Sequence, residues 1–211
     1  MKCAQNVLLS LSVIVVLSWV SSLVEAQVNP AGKAVTIRGK IAAVKGPELL
    51  VATSGGEVSA KLLPGITIIG EVAASLSDIT PGVYVGASAQ KQADGTFRAS
   101  QINIFREEER GLSEGHRPQT SLPNSTMTNA NVETIEDLTV QDVNGRMLTL
   151  KFKGGEVKVF VPPNTPIMKR VAGSHEMLKP DAELRIQGTQ TADGVISAKQ
   201  IIVNANATPP R

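Results

Sequence analysis

The chain has 211 residues, 21 Lys and Arg against 19 Asp and Glu, and a single cysteine. A net charge of +2 with 3% aromatic residues argues against a nucleic-acid partner, which needs a basic groove and exposed stacking platforms. One cysteine excludes an intrachain disulfide and any metal site built from several thiolates.

The first 26 residues read as a secretory signal. Lys2 supplies the positive start, Val7 to Val20 the apolar stretch, and Val24-Glu25-Ala26 the small residues that place a cut between Ala26 and Gln27. Cys3 leaves with this segment. The alternative is an uncleaved membrane anchor, but Val7 to Val24 is barely long enough to span and five serines dilute it. No later apolar run is long enough for a spanning helix, which speaks against a permease. The expected location is periplasmic or secreted.

Downstream, short alternating runs are separated by turn residues, the pattern of half-buried strands. Strands are predicted at 35–44, 48–53, 57–63, 83–90 and 96–104. Asp94-Gly95 and Gly55-Gly56 are expected to supply positive φ for tight hairpins. Between the third and fourth strands, Ser75-Leu76-Ser77-Asp78-Ile79 before Thr80-Pro81 reads as a serine-capped helical turn.

Residues 105–131 form a different stretch. The charge run Arg106-Glu107-Glu108-Glu109-Arg110 is followed by Gly-, Pro-, Ser- and Asn-rich sequence, which favours a linker without regular structure. The run itself reads as solvated, with ion pairs worth less than about 1 kcal/mol. The length also allows a docking or binding loop, for which Arg110, Glu114, His116 and Arg117 are the candidates. His116 with Glu114 is the weak candidate for metal, since a closed site takes three or four ligands. His175, where the earlier unit has Leu76, reads as an exposed or locally bonded histidine.

A second set of strands follows at 133–143, 146–153, 156–161, 182–190 and 195–203, with turns at Asn144-Gly145, Gly154-Gly155 and Asp193-Gly194. Ser174-His175-Glu176-Met177-Leu178 before Lys179-Pro180 repeats the capped turn. The two sets are copies. An offset of 99 carries Gly55-Gly56-Glu57-Val58 onto Gly154-Gly155-Glu156-Val157, Ala93-Asp94-Gly95 onto Ala192-Asp193-Gly194, and Gln101-Ile102 onto Gln200-Ile201. It also carries Val44 onto Val143 and Gly46 onto Gly145, so one offset is expected from Val44 to Ile201 without a gap. Two copies are too few for a solenoid. The expectation is an all-β protein of two tandem, self-contained OB-like barrels over 34–104 and 132–203, each with one short helical turn. Residues 105–131 would join them and 204–211 would form a disordered tail.

The succession of strand, Asn-Gly turn, strand, Gly-Gly-Glu-Val, Pro-x-x-x-Ile, short helix, Pro, strand, Ala-Asp-Gly, strand resembles bacterial domain of unknown function 5666. The resemblance implies an exported bacterial protein with small OB-like barrels and no established activity. The central segment looks like that of proteobacterial proteins labelled metal transporter permeases, a label the missing spans contradict.

No GxSxG elbow, HExxH pair or P-loop is present, and the consecutive Glu107, Glu108 and Glu109 point in different directions. The reading is therefore a non-enzymatic extracytoplasmic binding or structural module without a cofactor. Its partner would be an unknown envelope protein or small ligand, not nucleic acid. The alternatives are a metal-binding envelope protein using the central segment, or an enzyme of unrecognised class.

Overall fold

A computed structural model describes residues 32–119, 123–140 and 143–205. The predicted signal at 1–26, and the tail beyond Ala205, lie outside the described residues. The chain is all-β. Twelve strands join one sheet: β1 (Lys33–Lys45), β2 (Glu48–Thr53), β3 (Gly56–Ala74), β4 (Tyr84–Lys91), β5 (Phe97–Ile104), β6 (Gly115–Pro118), β7 (Ser125–Val140), β8 (Val143–Phe152), β9 (Gly155–Val161), β10 (Ile167–Ala172), β11 (Glu183–Gln190) and β12 (Ile196–Asn204). The two expected helical turns are 3-10 turns, Leu76–Asp78 after Ser75 and His175–Met177 after Ser174. The Asp78 carboxylate accepts both the Ser75 N–H and its hydroxyl at 2.8 Å. Among the described residues no helix is long and apolar enough to cross a membrane.

The expectation of self-contained barrels, one per copy, is overturned by the strand pairing. β1, β2 and β3 pair in order, β3 then pairs in parallel with β12, β12 with β11, and β11 returns to β1. This closes ring A. Ring B closes the same way through β7, β8, β9, β5 and β4, with β9 and β5 parallel. Each ring thus takes three strands from one copy and two from the other. The cores follow: Ile41, Leu49 and Val51 pack with Leu184, Ile186 and Ile201, while Val132, Leu148 and Val159 pack with Val85, Ala87 and Ile102. Fully burying one such Leu, Ile or Val contributes about 1.5–3 kcal/mol, and in both rings that burial is supplied by strands of both copies.

The exchange happens where the third strand is longer than the sequence pattern implied. Strand structure continues past Leu63 through the β-branched run Ile66-Thr67-Ile68-Ile69 to Ala74, and β10 is its counterpart in the second copy. These two segments pair antiparallel, centred on Glu71 opposite Arg170, which an offset of 99 makes equivalent positions. The copies therefore cross about a local two-fold relation and hand their last two strands to each other.

Two further corrections concern register. The gap-free offset of 99 fails in the first strand of each copy, where the offset is 91. Ile41 exchanges backbone hydrogen bonds with Asp181 and Ala182, and Val132 does so with Gly82 and Val83. The β7–β8 hairpin is longer than β1–β2, so Asn144-Gly145 lies inside the ladder opposite Thr139 and Leu138 and makes no turn. The echoes of Val44 in Val143 and Gly46 in Gly145 are not structural equivalences. In the later hairpins the positive φ belongs to Gly95 and Gly194, both at 86°, and not to Asp94 or Asp193. Asp94 instead accepts the Thr96 N–H at 2.9 Å and its hydroxyl at 2.7 Å.

Candidate functional site in the central segment

The stretch expected to be an irregular linker is built into ring B. β7 begins at Ser125 and pairs with β4, and β6 adds to β7 with Gly115–Pro118 opposite Asn129–Thr126. A 3-10 turn at Glu107–Glu109 precedes it. The cause is visible in β4. Tyr84 to Ala89 is buried at six consecutive positions, so both of its faces are covered, one by the ring core and one by the central segment. β11 instead alternates between buried and exposed over its first half. Gly86 leaves room for Phe105, whose ring lies 2.9 Å from where a Cβ would stand.

Glu109 is the deepest anchor. It is 8% exposed and accepts from Arg170 Nη1 at 2.7 Å, with Arg170 itself 9% exposed. Arg106 reaches the other Glu109 oxygen at 3.3 Å, and the Arg170 guanidinium lies 4.4 Å over the Phe105 ring. Glu71 faces Arg170 Nε at 3.5 Å and Arg185 at 3.8 Å. The charge run is therefore not simply solvated: its third glutamate closes a buried ion cluster at the crossing of the two copies. Its other members are Arg106 of the same run and Arg170, Glu71 and Arg185, the last three not flagged by the sequence.

The four candidate loop residues face different partners. Arg110 bridges Glu107, Asn131 and the Gly82 carbonyl, the last at 3.0 Å, and Glu107 is held below its usual pKa by that guanidinium. Glu114 accepts the Lys153 N–H at 3.0 Å. Arg117 donates to the Ser113 carbonyl at 2.8 Å. His116 Nδ1 lies 2.8 Å from the Thr128 hydroxyl, with its ring edge-on to Phe97 and stacked on Phe152. Burial lowers the His116 pKa, favouring the neutral imidazole. Tyr84 Oη and Asn129 Nδ2 both donate to the Leu112 carbonyl, at 3.1 and 3.0 Å. Burial, aided by Glu114, raises the Tyr84 pKa.

Arg110, Glu114 and His116 thus fasten the segment to ring B, and Arg117 fastens it to itself. Among the described residues no three His, Cys, Asp or Glu side chains converge as a metal site. Beside His116 an open groove of ≈ 660 Å³ is lined by Phe97, Lys91, Asn124, Ser125 and Thr126. It offers apolar ring surface with a rim of amide and hydroxyl groups. One sequence signal for the covered face was available. Tyr84-Val85-Gly86-Ala87-Ser88-Ala89 carries no charged residue at any position, whereas Glu183-Leu184-Arg185-Ile186 alternates charged with apolar. No protein-family model matches the chain, and neither a curated protein nor a solved structure matches it.

Proposed function

We propose that the chain is an exported, non-enzymatic binding or structural protein of the bacterial envelope, built on two OB-like barrels of the kind resembled by domain of unknown function 5666. The observation that carries this reading is the ring order, first–second–third–fifth–fourth strand with the third–fifth pair parallel. It occurs twice, each time with a 3-10 turn after the third strand. That is the layout of an OB-like barrel, a rigid scaffold that leaves hairpin loops and one face for contact. The N-terminal apolar segment supports export and removal of residues 1–26. The non-enzymatic reading rests on the sequence, where no nucleophile and base can be paired. The contact made is with an envelope protein or a small ligand.

The test is crosslinking of the full chain in its native envelope followed by affinity capture, with ligand analysis of the purified protein by native mass spectrometry. A reproducible partner or bound small molecule is expected. A monomer that retrieves neither would overturn the proposal.

A further inference from the structure

Ring A carries an open cleft at the place where ring B carries the central segment. The cleft is ≈ 480 Å³ and is lined by Arg38, Lys40, Thr53, Ser54, Glu71 and Arg185, among others. Register makes the comparison position by position. Arg38 lies opposite Arg185 as Asn129 lies opposite Gly86, and Lys40 opposite Glu183 as Asn131 opposite Tyr84. Thr53 stands opposite Gly56 as Phe152 stands opposite Gly155. Glu71 corresponds to Arg170. In ring B the counterparts are all engaged by residues 105–116. Asn129 and Tyr84 hold Leu112, Asn131 holds Arg110, Phe152 stacks on His116, Lys153 holds Glu114 and Arg170 holds Glu109. One face of the same scaffold is therefore seen with a glutamate-bearing segment, a 3-10 turn followed by a short added strand, laid across it.

Two features of ring A ask for such a segment. The first is a free strand edge. β6 pairs with Thr126–Asn129, whose equivalents are Val35–Arg38 in β1. Among the described residues, Lys33 to Gly39 pair only with β11, so the other edge of this stretch has no strand beside it. Ile37 is half-buried there, whereas its counterpart Thr128 is fully covered. An unpaired edge is a template for strand addition by a peptide.

The second feature is charge. Arg38 and Arg185 stand directly opposite on neighbouring strands, an arrangement that repels unless an anion lies between them. Arg185 Nε is buried without a hydrogen bond, and Arg38 makes no ion pair among the described residues. Glu71 is shared with Arg170, and Glu183 faces Lys40 at 3.8 Å, so the local carboxylates are already committed.

We propose that this cleft docks an extended acidic segment of a partner protein, which adds as a strand to β1 at Val35–Arg38 and sets a carboxylate against Arg38 and Arg185. The inference rests on the reading of the chain as a binding module. It names the site and the chemistry of the partner.

The test is fluorescence anisotropy of the full chain with a labelled synthetic peptide of the sequence Glu107 to Pro118, at low salt. Saturable binding is expected, weakened about tenfold or more when the peptide's glutamates are replaced by glutamine, because the charge-assisted contacts are lost. Arg38→Glu should weaken binding as much without lowering the melting temperature, since the side chain is exposed and the substitution removes the repulsion from Arg185. Lys45→Glu, outside the cleft, should leave binding intact. Equal affinity for the glutamine peptide, no effect of Arg38→Glu, or absence of saturable binding would overturn the proposal. So would binding that appears only after removal of residues 206–211 or 1–31, or a dimer that competes with the peptide, since either names a different occupant. If envelope crosslinking still retrieves a partner with Arg38→Glu at wild-type yield, the binding module stands and this site falls.

Discussion

Glu109→Ala tests the ion cluster at the crossing of the two copies. The substitution removes the carboxylate 2.7 Å from Arg170 and leaves that guanidinium 9% exposed. Deleting one partner of a buried pair costs about 3–5 kcal/mol, because the remaining charge is stranded away from water. Arg170 keeps Glu71 at 3.5 Å and the face of Phe105, which places the expected loss at the lower end, about 3 kcal/mol. For a chain of this size each kcal/mol moves the melting temperature by about 2–4 °C, so a drop of roughly 6–12 °C is expected in thermal unfolding followed by circular dichroism. Adding Arg170→Met to Glu109→Ala should restore much of that loss, since an apolar side chain of similar length needs no counter-charge. A Glu109→Ala protein that melts within about 2 °C of wild type would refute the reasoning, because it would show the pair to be worth no more than a surface ion pair.

Because each ring is assembled from both copies, the two should unfold together. Calorimetry should show one transition with matching calorimetric and van't Hoff enthalpies, and two separable transitions would contradict the exchange. Gly95→Val and Gly194→Val should each cost about 1–2 kcal/mol in urea unfolding, since valine resists φ of 86°. Asp94→Val should cost less, because it removes only exposed bonds to Thr96. The pKa of His116 is lowered from 6.5 by burial, so its contribution is present above 6.5 and is lost as pH falls through the lower folded value. Amide protection factors of residues 115–117, corrected for the intrinsic exchange rate at each pH, should therefore fall between pH 7.5 and the acid range. His116→Gln should remove that dependence.

Ten of the twelve strands and the two short helical turns could be read from alternation, turn glycines and the Ser75 and Ser174 positions, because these are local properties of the backbone; β6, β10, the later part of β3 and the start of β7 were not read. The covered second face of β4 could have been read from the uncharged run Tyr84–Ala89. Which strands close on which could not. Leu49 and Val51 would satisfy a core built with β4 and β5 or with β11 and β12 equally well, since hydrophobic pattern states which face is buried and not what buries it. Tertiary structure chose the exchanged pairing through the crossing of β3 with β10, where Glu71 meets Arg170. It also put Glu109 out of solvent, although its neighbours in sequence are charged, because a buried arginine 61 residues away offers a partner that no local pattern encodes.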